Sequence, residues 1–188
     1  MEQLALTRES REDTDLLLRC ENGDRDAMRD LYSRHQRRVF SVAMNYFGGN
    51  RDLAEDITQK VFLKLLTGIN FQGRSEFTTW LYRITVNTCT DEARKMSKFG
   101  ELKEFFGFGG DAVQQLMTET GEISEKVQHE IAKLKPKYRM PIVLKYSEDL
   151  SYKEIADVLG CSIGTVSSRL NRGHKMLSTR LEYLRGAL

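Results

Sequence analysis

The chain has 188 residues, with 40% hydrophobic and 30% charged side chains, only two prolines and a formal net charge of +2. That balance fits one large or two small helical domains, and it is too near neutral to assign nucleic-acid binding from charge alone. No run approaches the ~20 apolar residues of a membrane helix, and residues 1–13 lack a signal-peptide core, so direct membrane insertion is not expected. Cys20, Cys89 and Cys161 are isolated and odd in number, and His35, His129 and His174 are scattered. Without CxxC or HxxxH spacing a metal site is not expected. The thiols read as reduced, cytoplasmic and each a small buried hydrophobe, and the histidines as surface or helix-packing residues.

Apolar periodicity predicts helices throughout. Leu16, Leu17 and Leu18 lie in a first helix that ends near Asn22-Gly23-Asp24. A second runs from about Asp24 to Tyr46, with Ala27, Leu31, Val39, Val42 and Ala43 inward, and stops at Gly48-Gly49-Asn50. A third, roughly 51–67, is amphipathic through Ala54, Ile57, Val61, Phe62, Leu65 and Leu66. The glycine-flanked segment 68–76 reads as a loop, and a fourth helix follows over about 77–96. Residues 99–122 hold five glycines and no sustained period. They read as a linker whose Phe105, Phe106 and Phe108 dock elsewhere. Helical patterning resumes near Ser124, breaks at Lys135-Pro136 and resumes near Tyr138. No strand-like alternation occurs, so the expected fold class is all-α: two small helical domains joined by a flexible linker. The expected divisions are an extension over 1–13, a first domain over 14–96, the linker over 97–122 and a second domain over 123–184.

Residues 151–177 are the most informative stretch. Ser151 and Glu154 have the spacing of a capping box, and Tyr152, Ile155, Ala156 and Leu159 form one apolar stripe. Gly160 then ends the helix where a left-handed residue costs least. After a short turn, a second helix starts near Ile163 or Gly164, with Val166, Leu170 and Leu177 inward. Its other face carries Thr165, Ser167, Ser168, Arg169, Asn171, Arg172 and Lys175, side chains that reach phosphates and base edges. From Gly160 onward five Lys or Arg stand against one acidic residue, Glu182. The pattern is a helix-turn-helix with a basic outer face, although an ordinary helical hairpin shares much of it.

Two further surfaces stand out. On the fourth helix Trp80, Arg83, Asn87, Thr90 and Arg94 fall within about 80° of arc, after a loop bearing Phe71, Gln72, Arg74 and Ser75. Aromatics stack bases, cations hold backbone and amides read edges, so this face suits single-stranded nucleic acid. A core role for Trp80 and a plain solvent face explain the same residues. On the third helix, Asp52, Glu55, Asp56 and Gln59 form an acidic and amide edge. It is either a solvated face or a docking edge for a basic protein surface.

Together these stretches resemble the extracytoplasmic-function (ECF) sigma factors of bacterial RNA polymerase. LYSRHQRRVF (31–40), AEDITQKVFLKL (54–65) and FQGRSEFTTWLYRITVNTCTDEARK (71–95) resemble the family's second conserved region. LKPKYRMPIVLKYSEDLSYKEIADVLGCSIGTVSSRLNRGHKML (134–177) resembles its fourth region. The resemblance implies a protein that docks on core polymerase, recognises −10 and −35 promoter elements and directs melting and initiation, with no cofactor and no catalytic group. It implies that Asp56 and Gln59, with Asp52 and Glu55 beside them, meet the β′ clamp helices. Phe71 and Asn87 would capture melted −10 bases, with Ser75, Trp80, Arg83 and Arg94 around them. Lys145, Ser167, Ser168 and Asn171 would read the −35 duplex, with Thr165, Arg169 and Arg172 nearby. The implied partners are core RNA polymerase through its β′ clamp helices and β flap, promoter DNA both duplex and melted, and an anti-sigma factor. The expected location is the cytoplasm, with the anti-sigma factor able to hold the protein at the membrane. The family often has a basic residue where this chain has Ser167, and Ala-Arg where it has Gly173-His174. A dimeric helix-turn-helix regulator would account for 135–177 but not 54–95. A polymerase-binding adaptor would leave the Arg83–Asn87–Arg94 face without purpose.

Overall fold

The computed structural model describes residues 8–66, 71, 73, 75–98 and 119–182. Eight helices are present among these residues: α1 (Arg8–Glu21), α2 (Arg25–Tyr46), α3 (Arg51–Leu66), α4 (Phe77–Lys98), α5 (Glu119–Ala132), α6 (Pro136–Ser147), α7 (Tyr152–Leu159) and α8 (Ile163–Arg180). The all-α expectation holds, and no described helix is long and apolar enough to cross a membrane. Gln72, Arg74 and the three expected linker phenylalanines lie outside the described residues.

The N-terminal lobe packs α1, α3 and α4 around α2. Asp24 caps α2 by accepting from the amides of Asp26 and Ala27, satisfying donors that a helix start leaves open. The expected inward residues of α2 and α3 are buried, except that Leu66 is exposed at the end of α3. One difference from the sequence reading stands at α1. The helix starts at Arg8, inside the expected 1–13 extension. Leu18 is exposed while Leu16 and Leu17 are buried. His35 is fully packed, its Nε2 3.0 Å from Oδ2 of the equally buried Asp13. Ser10 Oγ accepts from the Phe77 amide at 3.1 Å, so α1 supplies a remote cap for α4.

The C-terminal lobe sets α5, α6 and α7 against α8. Pro136 occupies the first turn of α6, where its missing N–H costs nothing. α5 starts at Glu119, earlier than the expected Ser124, because Gly121 interrupts the apolar pattern without interrupting the helix. The capping box of Ser151 and Glu154 forms in full, and Gly160 closes α7 at φ 60°. Tyr152 is exposed rather than part of the apolar stripe; Val158 is buried instead. Cys89 is buried as expected, while Cys20 and Cys161 are half-buried, and all three are free thiols.

The two lobes pack against each other. α6 and α5 meet α2, and α7 lies on α4. Arg139, buried on α6, donates to Leu134 O at 2.8 Å and to Tyr46 O at 3.2 Å, with its guanidinium 4.7 Å from the Tyr46 ring centre. Burial pushes its pKa below the usual guanidinium value, opposed by the nearby Tyr46 and Cys89. Gly48, at φ 66°, lets the end of α2 approach α5: a Cβ there would stand 2.8 Å from Ala132 Cβ.

Candidate nucleic-acid interface

The amphipathic pattern of α4 decides which side chains are available. Leu81, Tyr82, Ile84, Thr85, Val86, Thr88, Cys89 and Ala93 turn into the core. Trp80, Arg83, Asn87, Thr90 and Arg94 form the unburied stripe, as the spacing predicts. Asn87 and Arg94 are exposed, and Arg94 pairs with Asp91 at 3.1 Å on its own helix. Such an exposed pair is weak and yields readily to a stronger anion. Phe71 and Trp80 are half-buried, their rings 5.0 Å apart. Both lean on the fully buried Phe77, at 6.0 and 5.7 Å. The cluster is therefore partly core and partly surface, and Trp80 keeps one edge open while packing on Phe77. Ser75 is half-buried just before α4. A planar base could stack against this aromatic edge while Asn87 and Arg83 lie further along the same stripe.

Arg83 is already engaged. Its Nε donates to the backbone carbonyl of Asp157 on α7 at 3.0 Å. Beside it, Tyr82 donates to Glu148 Oε2 at 2.8 Å. Burial, more than the carboxylate, raises the Tyr82 pKa, and burial likewise raises the Glu148 carboxyl above its ordinary range. The C-terminal lobe thus covers part of the α4 stripe, which no periodicity could reveal.

On α3, Asp52, Glu55, Asp56 and Gln59 are exposed, while Ala54, Ile57, Thr58 and Val61 are buried beneath them. Arg51 pairs with Glu55 at 2.9 Å. Lys60 bridges Asp56 and Glu92, the latter at 3.0 Å, and its ammonium pKa is raised first by the Asp56 hydrogen bond. Asp52 and Gln59 complete an acidic, outward-facing edge.

On α8, Ser162 caps the helix by accepting from Thr165 N at 3.1 Å, and its hydroxyl lies 2.9 Å from Thr165 Oγ1. Ser168 is exposed and donates to Thr165 O. Asn171 and Arg172 are exposed, whereas Ser167 and Arg169 are half-buried on opposite flanks. Arg169 leans towards Cys161 Sγ at 4.0 Å. Lys145, at the end of α6, is half-buried and donates to Leu150 O at 3.2 Å, with Asp149 at 3.5 Å. The expected −35 residues therefore divide into an outward set on α8 and a lysine held in the α6–α7 turn.

Comparison with known proteins accounts for both lobes. Residues 31–99 match the family described as Sigma-70 region 2, and residues 124–177 match Sigma-70, region 4. The chain is 33% identical over 174 residues to the ECF RNA polymerase sigma factor SigW of Bacillus subtilis (strain 168), covering 86% of this chain and 92% of the relative. Its fold resembles CnrH, solved in complex with the cytosolic domain of CnrY, with TM-score 0.64, 23% identity and coverage of 92% and 98%. It also resembles the sigma factor RpoE solved with the anti-sigma factor NepR from Bartonella quintana, with TM-score 0.60, 22% identity and coverage of 82% and 96%. Both conserved regions stand in order along one all-helical chain whose curated relative aligns nearly end to end, and the chain belongs to the ECF sigma factors of bacterial RNA polymerase.

Proposed function

We propose that each lobe engages one promoter element and that the two separate to do so. Residues 14–96 form the polymerase-docking and −10 lobe, 97–122 the connection, and 123–184 the −35 lobe. The acidic edge of Asp52, Glu55, Asp56 and Gln59 docks on the β′ clamp helices, and the −35 lobe meets the β flap. Phe71 and Asn87 capture bases leaving the −10 duplex, and Trp80, Arg83 and Arg94 hold the neighbouring backbone, with Ser75 beside them. Trapping extruded bases offsets the few kcal/mol of unstacking and unpairing. Lys145, Ser167, Ser168 and Asn171 read the −35 duplex, with Thr165 beside them and Arg169 and Arg172 nearby for phosphates. Ser167 in place of a common basic residue lowers the phosphate attraction of this helix.

The observation that carries this reading is the unburied α4 stripe, which joins an aromatic edge to Asn87 and two arginines on one face. Control by an anti-sigma factor is supported by the NepR complex of the structural neighbour. Such a partner would hold the protein at the membrane when it is itself membrane-bound. The test is open-complex formation on a promoter library with purified core polymerase, with and without this chain. Melting and defined transcript starts that need both components support it. Tight duplex binding without polymerase, and no polymerase-dependent melting, would point to a conventional regulator; polymerase binding without melting would point to an adaptor.

A further inference from the structure

Two side chains without a role in that scheme meet beside the outer face of α8. Tyr146, in the last turn of α6, is 66% exposed. Its hydroxyl lies 2.9 Å from His174 Nε2, and the two rings are 5.6 Å apart at 62°. The contact depends on a close approach of α6 and α8, and Gly173 permits it. A Cβ at Gly173 would stand 2.6 Å from Cδ1 of the buried Ile142 and 3.5 Å from Tyr138 O. Gly173 and His174 therefore act as one device: the glycine closes the helices and the next residue reaches across.

The pair borders the face expected to read DNA. At about 100° per residue, Ser167, Asn171 and His174 fall within about 60° of arc, and Lys145 immediately precedes Tyr146. The hydrogen-bond chemistry is asymmetric in a useful way. A phenol has one O–H and a neutral imidazole one N–H. With the proton on Nε2, the imidazole donates to the phenol oxygen and the phenol O–H turns outward. With it on Nδ1, the phenol donates inward and Nδ1–H is the donor left over. Either tautomer spends one donor on the pair and leaves one for a ligand. An acceptor-only group, such as a phosphate oxygen, is the complement.

We propose that Tyr146 and His174 form a phosphate-oxygen site at the edge of the duplex held by α8. The inference rests on reading α8 as the −35 helix. It gives Gly173-His174, where the family often has Ala-Arg, a route to a backbone contact that needs no guanidinium. The test uses the full chain with core polymerase on a promoter duplex, scanning single methylphosphonate substitutions through the −35 region. Wild-type binding should fall roughly 3- to 10-fold when one or two particular phosphates are neutralised. Tyr146→Phe and His174→Ala should bind unmodified duplex weaker by a similar factor and lose sensitivity at those same phosphates. A variant that weakens binding yet stays as sensitive as wild type at every phosphate shows only a helix-pinning bond, and overturns the site. If neither variant changes binding while Arg172→Ala weakens it, the site fails and the −35 reading stands. If wild-type binding depends on no −35 phosphate at all, the reading fails and the site with it.

Discussion

Arg83 is where the proposed −10 face and the contact between the lobes coincide. Its guanidinium sits on the α4 stripe yet donates to the Asp157 carbonyl of the other lobe. The ionised guanidinium already makes this bond charge-assisted from the donor side; exchanging the neutral carbonyl for a phosphate would add attraction between opposite charges and allow a bidentate pairing. Asn87 has no such competing role and lies exposed four residues on. Asn87→Ala should weaken capture of the melted −10 strand by about 1–3 kcal/mol, the worth of one good base contact. Its effect on thermal unfolding should stay within about 0.5 kcal/mol, as for an exposed residue. A fluorescent base analogue in the −10 element, titrated with the polymerase complex, separates the two effects. Asn87 was legible in the sequence because helical spacing alone placed it on one face with Trp80 and Arg83. The Arg83–Asp157 and Tyr82–Glu148 contacts were not, because they join residues 74 and 66 positions apart across two lobes.

At the scale of elements, the helix-turn-helix is almost wholly a matter of local chemistry. Ser151 accepts from Glu154 N while the Glu154 carboxylate accepts from Ser151 N at 2.8 Å. Gly160 carries the left-handed turn, and Ser162 starts the next helix. Such signals act within four residues, which is why the sequence yields this motif with its boundaries. Gly160→Ala should destabilise the chain by about 1–2 kcal/mol, the cost of left-handed backbone for a residue with a Cβ. Open space around the glycine adds no steric penalty, so the variant should fold and melt earlier in a thermal scan. Ser151→Ala should cost about 1 kcal/mol through loss of the cap. By contrast, the start of α1 escaped sequence reading. Its anchors, Ser10 to Phe77 and Asp13 to His35, use polar residues that a solvent-exposed segment would carry equally well.

For the whole molecule, the decisive fact is that the lobes touch. A compact chain of this length is about 40 Å across, whereas elements 25 base pairs apart lie about 85 Å apart along B-DNA. The packed arrangement is shorter than that span, and the proposed separation of the lobes would let one chain reach both elements. Glu148 makes the packing sensitive to pH. Burial raises its carboxyl above the ordinary 4.5, so the packed form binds that proton more tightly than the separated form. Packing is therefore most favourable below pH 4.5 and weakens as pH rises through the raised value. Glu148→Gln should strengthen lobe packing at neutral pH by under about 1 kcal/mol, since the carboxyl keeps part of its solvent. The difference should vanish below pH 4.5, and hydrogen exchange of the α4 and α7 amides would follow it. The most direct measurement is energy transfer between dyes on exposed Asp26 of α2 and Lys153 of α7, with and without core polymerase and promoter. Strong transfer in the free chain, lost in a complex that melts the −10 element, is the result expected. Undiminished transfer in a complex that has opened the promoter would contradict two lobes parting to read two elements.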